Sequence, residues 1–311
     1  MAYTIKTLKF DDTVDLYVYM WEPKNKEKAK AVIQISHGMA EHMERYNELA
    51  EFFTNNDYIV VGADHYAHGR TAKLPENVGV VKEYDFMDAI VKDIKYVYDE
   101  ITSTLKMPHY LYSHSMGSMA TQRYIELYPD DFEKVVMSGT DAPNCKYAFA
   151  KLLTHSKKGE VKYSKFISKM GTGSFNKKFK EEHPKYGWLT HDKDVISKYE
   201  NDPFCDRDFP VNYYNSISKM LLVSKKKAER NKINKKIKIL LVAGLEDPVG
   251  RFGKGPKKLY NDFTKLGIKA KLILYPEVRH ECHNESSVKN KLYKDVLEFY
   301  SCLLYTSPSP R

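Results

Sequence analysis

"HYLYSHSMGSMATQRY", residues 109–124, is the stretch on which the fold turns. Tyr110, Leu111 and Tyr112 read as a β-strand, and Met119 to Tyr124 read as a helix. Between them Ser113-His114-Ser115-Met116-Gly117 has the outline Gly-x-Ser-x-Gly, with the first Gly replaced by Ser. In that pattern the middle serine sits on a strained strand-to-helix corner, and small flanking residues let the two elements pass closely. A polar loop with Ser113 or Ser115 as helix N-cap reads the same way locally. The rest of the chain has to discriminate.

Outward from this stretch, strand-like and helix-like segments alternate. "YTIKTLKF" and "LYVYMWEP" flank the turn "DDTV" as a hairpin, and "KAVIQISHG" (30–38) is an apolar run suited to a strand buried on both faces. A helix is expected over 45–57, a buried strand over 58–64, and an amphipathic helix over 85–102 with Ile90, Ile94 and Val97 on one side. "FEKVVMSGT" (132–140) is the next strand. The rhythm then stops, and residues 141–220 carry scattered aromatics, glycines and lysines. It resumes with strand 236–248, helix 255–266, strand 269–277 and helix 286–300. Such alternation predicts an α/β fold with a mostly parallel central sheet and helices on both faces. Its core spans 1–140 and 221–300, and 141–220 is inserted as a cap.

Sheets of this kind present their chemistry at the carboxyl ends of the strands. A serine hydroxyl becomes a nucleophile when a base takes its proton and a carboxylate orients that base. Asp247 follows "ILLVAGLE" and His280 follows "KLILYPEVR", so Ser115, Asp247 and His280 occur in the order serine, acid, histidine, each at a strand end. Asp141 and Glu246 compete for the acid and His283 for the base. Asp247 is favoured because its turn ends the strand cleanly, and His280 because it comes sooner after its own. Backbone N–H groups of Met116 and of Met39, in the loop after the 30–38 strand, are the expected donors to a developing oxyanion, with Gly38 allowing close approach. His37 and His42 lack a third metal ligand and are read as shaping the loop. No metal or organic cofactor is called for.

These residues together resemble the monoacylglycerol lipase and lysophospholipase branch of the α/β-hydrolases, a serine aminopeptidase-like domain. The resemblance is carried by "HGMAEHMERY" (37–46), "DHYAHGRT" (64–71), "SHSMGS" (113–118), "GLEDPVG" (244–250) and "YPEVRHECHNE" (275–285). It extends to "WLTHDKDVISKYENDPFC" (188–205) in the cap. It implies the α/β-hydrolase fold, Ser115 as nucleophile, Asp247 as acid, His280 as base, and Met39 with Met116 as oxyanion donors. It also implies hydrolysis of monoacylglycerol or lysophospholipid esters. Acyl transfer and aminopeptidase cleavage would use the same triad, and a catalytically silent binding protein would share the fold. The His-Gly-Gly-Pro loop expected of proline iminopeptidases is absent. Ser113 and Ser118 stand where the branch has glycines, and Tyr66-Ala67 where it has Arg-Gly.

Composition bounds the rest. The chain of 311 residues is 42% hydrophobic and 29% charged, ordinary for a globular protein. Its net charge of +9 is visible in the lysines of 24–30, 177–185 and 225–238, mostly solvated faces, with a basic rim for anionic lipid as the functional reading. No nucleic-acid motif accompanies the charge. No apolar run reaches the length of a membrane span and Met1 is followed by no export-type segment, so the cytoplasm is the expected location. Cys145, Cys205, Cys282 and Cys302 show no paired spacing. Phe149, Leu152, Leu153, Phe166 and Trp188 suit an acyl pocket, and equally suit packing of the cap. Residues 302–311 resemble translated sequencing adapter and are set aside from fold reasoning.

Overall fold

Four apolar runs, Ala31–Ser36 (β3), Tyr58–Ala63 (β4), His109–His114 (β5) and Lys134–Ser138 (β6), are buried along almost their whole length, as strands covered on both faces must be. In the computed structural model, which describes residues 3–155 and 160–301, they form the centre of an eight-stranded sheet. The hairpin strands Thr4–Lys9 (β1) and Asp15–Trp21 (β2) lie at one edge, and Lys238–Gly244 (β7) and Lys269–Tyr275 (β8) at the other. The order is β1-β2-β4-β3-β5-β6-β7-β8; β1–β2 and β2–β4 are antiparallel and all other neighbours parallel. Asp11 closes the hairpin by accepting from the N–H groups of Thr13 and Val14.

Helices cover both faces. Asn47–Thr54 (α1) and Lys289–Ser301 (α10) bury Leu49, Phe53, Leu292 and Tyr300 on one side. Phe86–Glu100 (α2) and Met116–Leu127 (α3) lie on the other, with Lys254–Lys265 (α9). The last helix starts at Lys289, three residues later than the sequence suggests, because Glu285 O first accepts from the N–H groups of Val288 and Lys289 in a turn.

Between β6 and β7 the chain forms Cys145–Leu153 (α4), Lys165–Met170 (α5), Lys193–Asn201 (α6), Val211–Ser224 (α7) and Lys227–Arg230 (α8). Tyr186, Leu189, Ile196, Tyr199 and Cys205 give this insertion a small core of its own. The boundary expected at 220 falls inside α7. Tyr213, Ile217, Met220 and Leu221 join the main core, and Ser216 Oγ accepts from Met87 N at 2.8 Å, so α7 packs as a core helix. Among the described residues no helix is long and apolar enough to cross a membrane. The adapter-like residues 302–311 lie outside the described residues, as does Cys302.

Candidate active site

Ser115 occupies the corner between β5 and α3 with φ 50° and ψ −118°, a conformation that costs an L-residue energy and must be held from outside. Its N–H donates to Ser138 O at 2.9 Å and its carbonyl accepts from Met119 N at 3.0 Å. Gly117 is required here: a β-carbon on it would lie 2.4 Å from Ser36 O and 2.5 Å from His37 O. The serines that replace the branch's glycines are accommodated by hydrogen bonds. Ser113 Oγ donates to Val136 O at 2.8 Å and Ser118 Oγ to Ser115 O at 2.6 Å.

The structure brings Ser115, His280 and Asp247 together. Ser115 Oγ lies 2.8 Å from His280 Nε2, and His280 Nδ1 lies 3.0 Å from Asp247 Oδ1. Asp247 is fully buried and is aimed by its own turn, since Val249 N donates to the same Oδ1 at 2.8 Å. Burial alone would depress the His280 pKa. The charge and hydrogen bond of Asp247 more than reverse that, so it is raised above the ordinary 6.5. His114 and His283, with ring centroids 4.7 Å apart, are driven the other way by burial, His283 to about 3.

The rival residues stand elsewhere. Asp141 Oδ1 accepts from Arg251 Nε at 2.8 Å, and its Oδ2 from Asn144 at 3.0 Å and Tyr147 at 3.1 Å. Glu246 pairs with His191 at 3.3 Å. His283 is buried against Tyr46, with stacked rings 4.7 Å apart.

Met39 and Met116 border the same space as Ser115. Gly38 brings their loop in: a β-carbon there would meet Glu41 Oε1 at 2.6 Å and Ser115 Cβ at 3.2 Å. His37 shapes this loop through Nδ1 to Gly38 O at 2.7 Å and Nε2 accepting from His65 N at 2.9 Å. Ala67, where the branch has glycine, takes φ 59°, and Tyr66 turns into an aromatic cluster with Phe10 and Tyr84.

Sequence reasoning missed two networks. Arg45 Nη1 donates to Glu41 Oε2 at 2.7 Å and Glu281 Oε1 at 2.8 Å, and Nη2 to Glu281 Oε2 at 2.7 Å. Glu41 Oε1 in turn holds Gly38 N and Tyr46 Oη. One buried guanidinium thus ties the Gly38 loop to the residue after His280; its signal was the spacing Glu41–Arg45 within "HGMAEHMERY". The other is Ser36–His65–Asp93, with Ser36 Oγ 2.9 Å and Asp93 Oδ1 2.7 Å from the His65 ring. It copies the triad's hydrogen-bonding pattern, though not its chain order, but is wholly buried and does not line the space beside Ser115, so it fastens β3, the loop after β4 and α2. Nothing in the spacing of those residues announced it.

Among the described residues, His42, Asp202 and Cys205 come nearest to a metal-binding set, with one ligand atom each within 4.8 Å of the others. His42 Nε2 is already hydrogen-bonded to Asp202 Oδ2 at 2.8 Å, and burial pushes the Cys205 thiol well up. The arrangement joins the insertion to the core loop without calling for an ion.

A cavity of about 750 Å³ opens above Ser115. Phe149, Leu153 and Trp188 border it; Leu152 and Phe166, named with them from sequence, do not. The Trp188 ring lies tilted against His280 with centroids 5.2 Å apart, and Leu189 O accepts from Glu281 N at 2.8 Å.

The sequence profile of the family described as serine aminopeptidase, S33, matches residues 27–287. The chain belongs to that α/β-hydrolase family. Its curated relatives include proteins named monoacylglycerol lipase and lysophospholipase. It is similar to a monoacylglycerol lipase of Mycolicibacterium smegmatis, 24% identical over 59% of each chain. It is also similar to the monoglyceride lipase of Mus musculus, 35% identical over 33% of this chain and 31% of that one. The similarity thus spans three-fifths or less of these relatives' lengths. A carboxyl esterase from Bacillus coagulans shares the fold, with TM-score 0.87 and 21% identity over 96% of this chain and 98% of that one.

Proposed function

We propose that this protein hydrolyses carboxylic esters of monoacylglycerol or lysophospholipid type through an acyl-enzyme on Ser115. The reading rests on one observation above all: Ser115 Oγ, His280 and Asp247 Oδ1 form a continuous hydrogen-bonded chain on the floor of an apolar cavity. His280 Nε2 takes the proton as Ser115 Oγ attacks the ester carbonyl, and the imidazolium is stabilised by Asp247. The N–H groups of Met39 and Met116 receive the oxyanion. Protonation of the departing alcohol by His280 leaves an acyl-serine, and water activated by the same nitrogen releases the acid.

Residues 1–140 and 221–300 serve as the catalytic core, with α7 packed against it, and the rest of 141–220 as the cap that admits the ester. Met116, Met119, Phe149, Leu153 and Ile217 suit an acyl chain. The buried thiols of Cys205 and Cys282 suit a reducing compartment, the cytoplasm.

Ser115→Ala tests the reading. The rate on p-nitrophenyl esters should fall by several orders of magnitude with the fold intact, toward the residue left by binding and the oxyanion donors. A near-native rate would remove Ser115 from the nucleophile's place.

A further inference from the structure

Asp141 does not pair with His280, yet the residues gathered around it border the catalytic cavity. Its Oδ1 accepts from Ala142 N and Arg251 Nε at 2.8 Å each, and its Oδ2 from Asn144 at 3.0 Å and Tyr147 at 3.1 Å. Asp141, Asn144, Tyr147 and Arg251 all line the space above Ser115. The carboxylate is thus satisfied, but the guanidinium is not. Arg251 Nη2 lies 2.8 Å from the same Oδ1 and is buried without a hydrogen bond. Among the described residues Nη1 has no hydrogen-bond partner either. Arginine carries five N–H donors, and donors left unmade are costly.

The backbone is strained to hold this side chain where it is. Arg251 and Phe252 in succession take φ 54° and 56°, in the left-handed region. Phe252 N donates to Asp247 O at 2.7 Å, which folds the loop back on the triad's acid. Side-chain-bearing residues keep such angles where their surroundings over-determine them, and they cluster at ligand sites.

Charge shows which ligand fits. Two more cations, Lys146 and Lys177, border the cavity, and both are exposed. Lys146 comes two positions after Asn144, and Lys178 Nζ lies 4.1 Å from the centre of the Phe252 ring. Both lysine segments therefore meet at the Arg251 end of the cavity. Among the described residues neither Lys146 nor Lys177 pairs with a carboxylate. The remaining carboxylates of the wall, Glu41 and Glu281, are held by Arg45. Three cations thus face Asp141 alone, and the two unmatched charges equal those of a phosphate monoester near neutral pH. A planar guanidinium suits phosphate oxygens in particular. We infer that Arg251, with Lys146 and Lys177, binds an anionic group on the substrate, so that acylglycerols carrying a phosphate are preferred to neutral ones of equal chain length. This rests on the ester-hydrolase reading and names a substrate class within it.

Binding is measured by calorimetry on the full chain carrying Ser115→Ala, so that the esters stay intact. The probes are monooctanoylglycerol and monooctanoylglycerol phosphate, both below their micelle concentrations so that no lipid surface intervenes. The phosphate ester should bind at least about tenfold more tightly, as one charge-assisted pair allows. That margin should narrow as salt is raised. Arg251→Gln should erase most of it. Since Asp141 loses a partner in that variant, Lys146→Gln with Lys177→Gln provides a second test on exposed side chains, and should cut the margin about threefold. Damage to the fold would weaken both esters and leave their ratio in place. Equal binding of the two esters, or a margin that either variant leaves intact, overturns the proposal. Inorganic phosphate that binds while the two esters bind equally would make the cluster a site for a free anion, and would overturn it too. Octanoate release by the protein with Ser115 restored is the separate readout. Hydrolysis of both esters without a binding preference would sink the inference and keep the proposed function; tighter binding of the phosphate ester without octanoate release would do the reverse.

Discussion

Replacing Arg45 by Met should destabilise the protein and disable the site together, because one guanidinium serves both. Arg45 has a side-chain exposure of 12%, and Glu41 and Glu281 each 3%; the three share hydrogen bonds of 2.7, 2.8 and 2.7 Å. Met keeps much of the length but removes the charge, leaving two carboxylates buried side by side. Removing one partner of a buried ion pair costs about 3–5 kcal/mol. For a chain of this size that is a fall in Tm of roughly 5–10 °C. The loss has a pH signature. In the native protein burial alone would raise the pKa of Glu281, but Arg45 overrides it and holds it below the ordinary 4.5. The stabilisation is therefore present above the unfolded carboxyl pKa and disappears as pH falls through the depressed folded value. In the variant the buried carboxylates lack their cation and protonate more readily in the folded state. The deficit should be largest at neutral pH and shrink on acidification toward pH ~4. Melting by circular dichroism at several pH values, on both proteins, reads this directly. kcat should fall too, because Glu41 no longer fixes Gly38 beside Met39 and Glu281 no longer anchors the residue after His280. A variant whose Tm is unchanged, or whose deficit does not shrink with acid, would refute the reasoning.

Other expectations concern the triad and the insertion. The acid limb of kcat/KM should have its midpoint above 6.5, since Asp247 raises His280 and the neutral imidazole is the base. Asp247→Asn should move that midpoint down and reduce kcat by about 10⁴; an unmoved limb would assign it to another group. Asp141→Asn should leave the pH profile in place and cost about 1–3 kcal/mol of stability, because Asp141 serves Arg251, Asn144 and Tyr147 rather than His280; a kinetic loss matching that of Asp247→Asn would contradict this. Replacing 145–209 with a Gly/Ser linker, which spares α7, should preserve acetate ester turnover and flatten the preference for longer chains, worth about 0.8 kcal/mol per methylene. An unchanged profile from acetate to decanoate would place the acyl pocket in the core.

Much of this was legible in one dimension. A strand buried on both faces must be apolar throughout, so "AVIQIS" and "YIVVGA" declared themselves, and the helices between them did so by period. The corner at Ser115 was legible because few residues besides glycine and serine are small enough to flank it. Chain order then narrowed the acid and base to a few strand-end residues, among which a clean turn favoured Asp247 and closeness to its strand favoured His280. Side-chain partnership was not legible. Whether Asp141 or Asp247 faces a histidine depends on which way each loop turns after its strand, and an arginine four residues beyond Asp247, at 251, claims Asp141. Arg45 and Glu281 are 236 positions apart, and only the folded sheet sets them 2.7 Å apart. Pattern could not separate Leu153 from Leu152 either, because both are apolar on one short helix. Their directions are fixed by how α4 sits over Ser115, and that tertiary choice sends Leu153 into the cavity and leaves Leu152 facing out. Sequence determined the elements and the chemistry available at their ends; the tertiary structure decided the contacts, because contacts depend on the rotation and approach of elements that are distant along the chain.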